Sequence, residues 1–315
     1  MGSDLNGSIA LLRALMEAPG RMLTRDELCS KLTLSTDALD QLVASINATD
    51  ALLEQDADGV ALRVEADLLD EEYIFKNTHG HGRVELRECS ASTNTEMLDN
   101  AENLASGDVL IAEIQSAGRG RRGSSWLSGI GQGLTLSMAW RFASLRQIQG
   151  LAVAVGVSAA EAFGTLGKPG ISVKWPNDLY IGDLKLGGIL IESVPVHGGI
   201  AAVIGIGVNV YMAASGERLP ISSLEKHVRL GLRNQAAVVL IDALRGCCSA
   251  FGQSGLESFM DGFEQRNYLS GRKVRVAAED GEHSGTVCGM DAQGNLLLSG
   301  ASGTEAVNVG HVELL

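Results

Sequence analysis

Apolar residues recur at helical spacing at the start of the chain. Ile9, Leu11, Leu12, Leu15 and Met16 share one side of a helix over Ser8 to Ala18, which Pro19-Gly20 stops. Thr24, with Glu27 three residues on, forms a capping box for a second helix, Arg25 to Leu32. Ser35 caps a third helix that carries Leu39, Leu42, Val43 and Ile46 on one face. The pattern then changes to short alternating runs, Leu52 to Glu54 and Val60 to Val64, around a turn at Asp56 to Gly59. Three helices and a hairpin predict a winged helix-turn-helix, whose third helix enters a DNA major groove; Ser35, Thr36 and Leu39 are the candidate DNA contacts.

Beyond a linking helix and a turn over 66–82, strand-like and helix-like patterns alternate. Val84 to Cys89 predicts a strand, Ser90 to Thr95 the cap of an amphipathic helix, and Val109 to Ile114 a second strand. Gly133 to Trp140 predicts another strand, and Leu151 to Gly164 a buried alanine-rich helix that ends before Lys168-Pro169-Gly170. Three further strand-like runs follow: Ile171 to Tyr180, broken by Pro176; Lys185 to Glu192, with Gly187-Gly188; and Val203 to Val210, with Gly205 and Gly207. Proline and glycine suit strand interiors poorly, so these positions predict edges, turns and places where backbone approaches a ligand. Ala236 to Phe263 has helical periodicity. Gly271 to Leu315 looks all-β, with strand candidates Lys273 to Ala277, Ser284 to Met290, Asn295 to Leu298 and Ala306 to Val309; this predicts a small SH3-like barrel.

Composition narrows the class. A chain of 315 residues holds two or three domains, and without an apolar run of about 18 residues or a signal-like N-terminus it is expected in the cytoplasm with no membrane partner. Five cysteines with no Cys-x-x-Cys pair point to small buried side chains rather than disulfides or zinc. His79 and His81 lie beside glycines with no further ligand cluster, which favours a solvated turn over a metal site. The net charge of −13 opposes general attraction to nucleic acid. In residues 1–65, five Lys and Arg face eleven Asp and Glu, and the third helix carries Asp37 and Asp40 with no basic residue. The pattern there favours DNA binding while the charge opposes it; a helical cap packed on the rest of the chain is the alternative.

The densest chemistry runs from Gln115 to Trp126. Arg119, Arg121 and Arg122 alternate with Gly118, Gly120 and Gly123 directly after a strand. Glycines let N–H groups turn toward a ligand, and guanidinium forks match carboxylate and phosphate oxygens. An anionic small molecule is the natural guest, with a solvated basic loop or an RNA-binding segment as alternatives. Trp126 and Trp175 serve either core packing or nucleotide stacking.

Together with Ser92-Thr93-Asn94, Gln115, Lys174-Trp175-Pro176-Asn177-Asp178, Lys185 to Glu192 and Gly205 to Asn209, this loop resembles the biotin protein ligases. With its ends included, the chain looks like the bacterial three-domain type that doubles as a biotin operon repressor. The resemblance implies an α+β chain: winged helix 1–65, linker 66–83, α/β catalytic domain with a mixed sheet 84–268 and SH3-like domain 269–315. It implies joining of biotin to ATP, giving biotinyl-5'-AMP and pyrophosphate, and transfer of biotin to a lysine of a biotin carboxyl carrier protein. Ser92, Thr93, Asn94, Gln115, Arg119, Gly120, Arg121 and Lys185 are then expected at biotin, and Gly118, Arg122, Asn177 and Asn209 at ATP. Arg121, Lys185 and Asp178 are the expected catalytic residues, with Asp178 as the Mg²⁺ ligand, the acceptor of the lysine proton, or a structural partner of Lys174 or Lys185. The resemblance also implies operator DNA as a partner and a homodimer promoted by ligand. Two departures stand out: Ser124-Ser125 where the family commonly has another basic residue, and Leu219-Pro220-Ile221 where relatives carry a tryptophan over adenine. A non-catalytic biotin-sensing transcription factor and a lipoate or octanoyl ligase are the rival readings. The glycine-rich loop is expected to be mobile when empty and to close over the adenylate.

Overall fold

The structure is a computed structural model that describes residues 2–49, 52–63, 67–168, 170–211, 221–225, 229–278, 280–300, 303–308 and 310–315. Val64, Pro169, Val309 and the Leu219-Pro220 substitution lie outside these residues. The N-terminal unit holds α1 (Gly2–Glu17), α2 (Arg25–Leu32) and α3 (Thr36–Thr49), with β1 (Met22–Leu23), β2 (Leu53–Gln55) and β3 (Val60–Leu62) in an antiparallel sheet ordered β1-β3-β2. The capping box forms as the sequence predicts: Thr24 Oγ1 accepts from the Glu27 amide at 3.3 Å, and the Glu27 carboxylate accepts from the Thr24 amide at 2.8 Å. Ser35 caps α3 by accepting from the Ala38 amide at 3.2 Å.

On α3, Ser35 and Thr36 are exposed, but Leu39 is 0% exposed and packs with Leu11, Leu15, Leu28 and Val43. Leu39 is therefore removed from the candidate DNA contacts. It belongs to the apolar stripe that drives this helix onto its neighbours, and exposing a leucine would forfeit roughly 1.5–3 kcal/mol of burial. The acidity of α3 is also partly met inside the unit, because Asp40 accepts from Arg25 and Gln55, both at 2.5 Å.

The segment after residue 66 is built into the central part. Helix α4 (Glu71–Asn77) is capped by Asp70, whose side chain accepts from Tyr73 N; Ile74 on the helix and Leu69 just before it enter the central core. His79 pairs with Asp242 through Nδ1 at 2.8 Å, and the Arg245 guanidinium donates to the carbonyls of His79, Gly82 and Gly107. No cluster of three metal-ligating side chains occurs among the described residues.

Seven strands form the central sheet in the order β4-β5-β6-β10-β9-β8-β7: β4 (Val84–Ser90), β5 (Val109–Gln115), β6 (Gly133–Phe142), β7 (Ile171–Lys174), β8 (Asp178–Ile181), β9 (Leu184–Val196) and β10 (Gly199–Asn209). The β4–β5 pair is parallel and the other pairs are antiparallel, so the sheet is mixed. Short α5 (Thr93–Asp99) crosses between β4 and β5, while α6 (Leu151–Thr165) and α7 (Leu232–Ser254) pack on each other and on the sheet. The helical stretches Leu145–Thr165 and Leu232–Ser254 are long and apolar enough to cross a membrane; here they supply core residues such as Val155, Phe163, Leu240 and Leu244.

One expectation for this sheet is met and another changes. The run Ile171 to Tyr180 is a hairpin of β7 and β8 turning at Trp175-Pro176-Asn177, with a cis Trp175–Pro176 bond. Gly187, Gly188, Gly205 and Gly207 sit inside β9 and β10, interior strands of the sheet rather than edges. Small size is needed at three of them: a Cβ on Gly205 would lie 2.2 Å from Asn94 Oδ1, one on Gly207 2.3 Å from Trp126 Cε2, and one on Gly187 2.6 Å from Gly207 O. The region read as one helical stretch ends its long helix at Gly255, where φ is +63°, and resumes as α8 (Met260–Arg266).

The C-terminal part is a five-stranded antiparallel sheet, order β14-β13-β12-β11-β15, from β11 (Lys273–Ala278), β12 (Gly281–Met290), β13 (Leu296–Gly300), β14 (Gly303–Val307) and β15 (His311–Leu314). Its core residues Val274, Val287 and Leu298 join the central core. Trp175, 1% exposed, donates Nε1–H to the Gly294 carbonyl at 2.9 Å, so its role is packing between these parts.

Candidate functional site

The ends of β4 and β5 lie side by side, continued by Ser116 N donating to Ser90 O and Ala117 N to Ala91 O. This parallel pair brings Ser92-Thr93-Asn94, at the start of α5, to Gln115, at the end of β5. Gln115 Oε1 accepts from the Thr93 amide at 2.8 Å, and Thr93 Oγ1 lies 2.7 Å from Ser137 Oγ. Ser137 in turn donates to Asn94 Oδ1 at 2.6 Å, while Asn94 Nδ2 donates to Leu190 O at 3.2 Å. Ser92 caps α5, accepting from Thr95 N. The result is a buried floor of hydroxyls and amides held by one another, suited to a polar, uncharged ring.

The arginine loop forms a tight hairpin over this floor. Trp126 N donates to Gly118 O at 2.8 Å and Gly120 N to Ser124 O at 2.7 Å, while Ser124 Oγ donates to Arg121 O at 2.8 Å. Ser124 thus closes the turn with its side chain. A Cβ on Gly118 would meet Trp126 O at 2.4 Å, which explains that glycine, and Arg122 takes the left-handed conformation at φ +54°. The indole of Trp126 lies against Gly207, and its buried N–H has no acceptor among the described residues.

Opposite the hairpin stand the β7–β8 turn and β9. Arg121 Nη1 donates to Asn177 Oδ1 at 2.8 Å, and Asn177 Nδ2 donates to Ile189 O at 2.9 Å. Lys185 Nζ lies 2.8 Å from Asp178 Oδ1. Burial lowers the pKa of Arg121, and neighbouring Arg122 lowers it further, against the pull of Asp178. Lys174 is lowered by burial first, a shift that Asp178 and Glu313 oppose and Lys185 assists. Cations packed this closely destabilise one another unless an anion enters.

These parts line one cavity of about 510 Å³, the size of a small-molecule site. Ser92, Thr93, Asn94, Gln115, Arg119, Gly120, Arg121, Arg122, Asn177, Asp178 and Lys185 all face it. Gly118 and Asn209 are not among its lining residues. Asn209 Nδ2 instead donates to Ser222 O at 3.2 Å and so holds the segment whose Ser222 N bonds Lys185 O at 2.7 Å. Arg122 also reaches outward, donating to Ala277 O at 3.2 Å.

Sequence reading did not single out Ser137, Thr135, Glu192 or the C-terminal residues Gly310, His311 and Val312 as site residues. Gly310, His311, Val312 and Thr135 line the cavity, whereas Glu192 binds Arg119 through two contacts of 3.0 and 2.7 Å. No local signal marked the C-terminal trio, which reaches the cavity through the β11–β15 pairing of Ala277 with His311.

With this geometry in place, comparison with known proteins gives the class. Residues 86–209 match the Biotin/lipoate A/B protein ligase family, and residues 269–315 match the Biotin protein ligase C terminal domain. The chain belongs to the Biotin/lipoate A/B protein ligase family. It is 39% identical over 246 residues to the bifunctional ligase/repressor BirA of Escherichia coli, covering 76% of each chain. It is 34% identical over 288 residues to the protein of the same name from Salmonella typhimurium, covering 89% of each chain, a share that includes part of the N-terminal unit. Among solved structures it resembles the biotin protein ligase from Aquifex aeolicus in complex with biotin and ATP, with a TM-score of 0.63 at 25% identity, over 75% of this chain and 99% of that one.

Proposed function

We propose that this protein is a biotin protein ligase that activates biotin with ATP and passes it to a lysine of a biotin carboxyl carrier protein. The observation that carries this reading is the convergence of Arg119, Arg121 and Lys185 with Thr93, Asn94 and Gln115 in one cavity, Thr93 and Asn94 being held from beneath by Ser137. In the first step a biotin carboxylate oxygen attacks the α-phosphorus of ATP, the bond to the β-phosphate oxygen breaks, and pyrophosphate leaves. Two anions must approach, so Arg121 and Lys185 offset their repulsion and stabilise charge on the α-phosphate. Arg119 and Gly120 hold the carboxylate side, and Ser92, Thr93, Asn94 and Gln115 hold biotin's polar ring. In the second step the lysine amine attacks the acyl carbon, AMP leaves, and Asp178 is placed to take the amine proton once Lys185 turns to the phosphate.

Gly118 serves ATP binding through the shape of the hairpin, and Arg122 turns from Ala277 O toward phosphate. Asn177 acts through Arg121, and Asn209 through the segment beside Lys185. Mg²⁺ would come with ATP, since it keeps several waters and needs only one or two protein carboxylates. Asp178, facing the cavity, fits that limited role.

The N-terminal unit supports a winged helix-turn-helix, and the five-stranded C-terminal sheet an SH3-like barrel. The names of the Escherichia coli and Salmonella relatives, ligase/repressor, favour operator DNA as a second partner, with Ser35 and Thr36 as exposed contacts. A homodimer promoted by ligand and a cytoplasmic setting belong to the same reading. Pyrophosphate release with biotin or lipoate as the acid tests it: release with biotin alone is expected. Preference for lipoate would transfer the chain to the lipoate branch, and biotin binding without release would make it a sensor.

A further inference from the structure

Arg119 stands between two cavities. It lines the one described above, and it also lines an adjoining one of about 520 Å³ that shares Gly120, Arg121 and Asn177 and has Glu192 as its acidic residue. Its guanidinium is turned to Glu192: Nη1 and Nη2 meet the two carboxylate oxygens at 3.0 and 2.7 Å. The same carboxylate accepts from Asn94 Nδ2 at 3.0 Å. Glu192 thus offers Arg119 a planar, two-oxygen, singly charged group, the same group that an aliphatic carboxylate ligand presents. With Glu192 bound, both terminal nitrogens of the fork are committed.

We propose that Glu192 is a positioning residue that holds Arg119 as an internal substitute for the ligand carboxylate and releases it when that carboxylate binds. This rests on the biotin ligase reading. The exchange is cheap because the pair is partly solvated, the two side chains being 41% and 29% exposed, and after release Glu192 keeps its bond to Asn94 and gains water. Pairs so exposed contribute little, so the competition amounts to about threefold to fivefold in affinity. Glu192 thereby sets how strongly the site favours a charged acid over its neutral derivative.

The test is calorimetric binding of biotin and of uncharged biotin amide, without ATP, to the full chain and to Glu192→Gln, which keeps an acceptor for Asn94. Glu192→Gln is expected to tighten biotin about threefold to fivefold and leave the amide unchanged. The gain should vanish in Glu192→Gln/Arg119→Ala. Should Glu192→Gln melt early, Glu192→Asp keeps the charge but withdraws it by one methylene and should act in the same direction. Equal shifts for acid and amide, or weaker biotin binding, overturn the proposal while leaving the ligase reading intact. A folded parent that binds neither ligand overturns both.

Discussion

Arg121 Nη1 lies 2.8 Å from Asn177 Oδ1, a contact that joins two motifs 56 residues apart. The amide cannot turn freely, because its nitrogen is bound to the Ile189 carbonyl. Asn177 therefore fixes the guanidinium from a strand-bound turn rather than from the hairpin itself. Asn177→Ala is expected to lower the rate of adenylate formation about 10- to 100-fold, since small misplacements of a charge-stabilising group carry such losses. Biotin affinity should change much less. Pre-steady-state pyrophosphate release separates the two effects, and a pure loss of affinity would contradict the assignment.

The hairpin is closed by only a few backbone bonds, among them Gly120 N to Ser124 O and Trp126 N to Gly118 O. Beyond the Arg121–Asn177 bond, its side-chain ties, Arg119 to Glu192 and Arg122 to Ala277 O, are exposed to solvent in part. Amide exchange over residues 118–128 should be fast in the empty protein and slow markedly with biotin and ATP. Unchanged exchange would refute closure over the adenylate.

Arg233 and Glu113 form an ion pair of 2.7 Å with both side chains 0% exposed. Glu113 also accepts from the Leu69 and Gly131 amides, and Arg233 donates to Gly133 O, so the pair binds the segment after the N-terminal unit to the sheet beneath the site. Removing one partner strands a buried charge. Glu113→Ala is expected to cost about 3–5 kcal/mol in denaturant unfolding, whereas an exposed pair such as Lys31 with Glu17 should cost at most about 1 kcal/mol.

His283 joins Asp280 and Glu305 at 3.0 and 2.7 Å on the C-terminal sheet, and these two carboxylates raise its pKa above the ordinary 6.5. A raised folded-state value means that the protonated ring stabilises the fold. That contribution is fully present below about 6.5 and is lost as pH rises through the folded value. Melting temperature should therefore fall as pH is raised from 6 through 8, and His283→Gln should flatten this part of the profile. A profile unchanged by the substitution would remove His283 as its source.

Much of the site was legible because its chemistry is local. The glycine and arginine alternation and the Trp175-Pro176-Asn177 turn each declare themselves within a few residues, as the Thr24–Glu27 box does in the N-terminal unit. Leu39 shows the opposite case: its place on the third helix suggests a DNA contact, while its own apolar stripe marks it as core. Ser137 and His311 have nothing near them in sequence that signals a site, and Glu192, though it ends the Lys185 to Glu192 run, carries no local sign that it would meet Arg119. Strand register across a mixed sheet, or a second sheet packed against the first, brings them there. The glycines of β9 and β10 mark close approaches but sit in interior strands; on β10 the object approached is Asn94 or Trp126, contributed by another part of the chain, and Gly187 of β9 approaches the Gly207 carbonyl of the neighbouring strand.

The most direct measurement is transfer of labelled biotin to a purified carrier domain in ATP and Mg²⁺, comparing the parent with Arg121→Ala and Lys185→Ala. The account predicts transfer by the parent and losses of about 100-fold or more in each variant, the scale on which removing a preorganised charge-stabilising group is felt. Parent protein that binds biotin yet transfers none, or variants that transfer as fast as the parent, would contradict it.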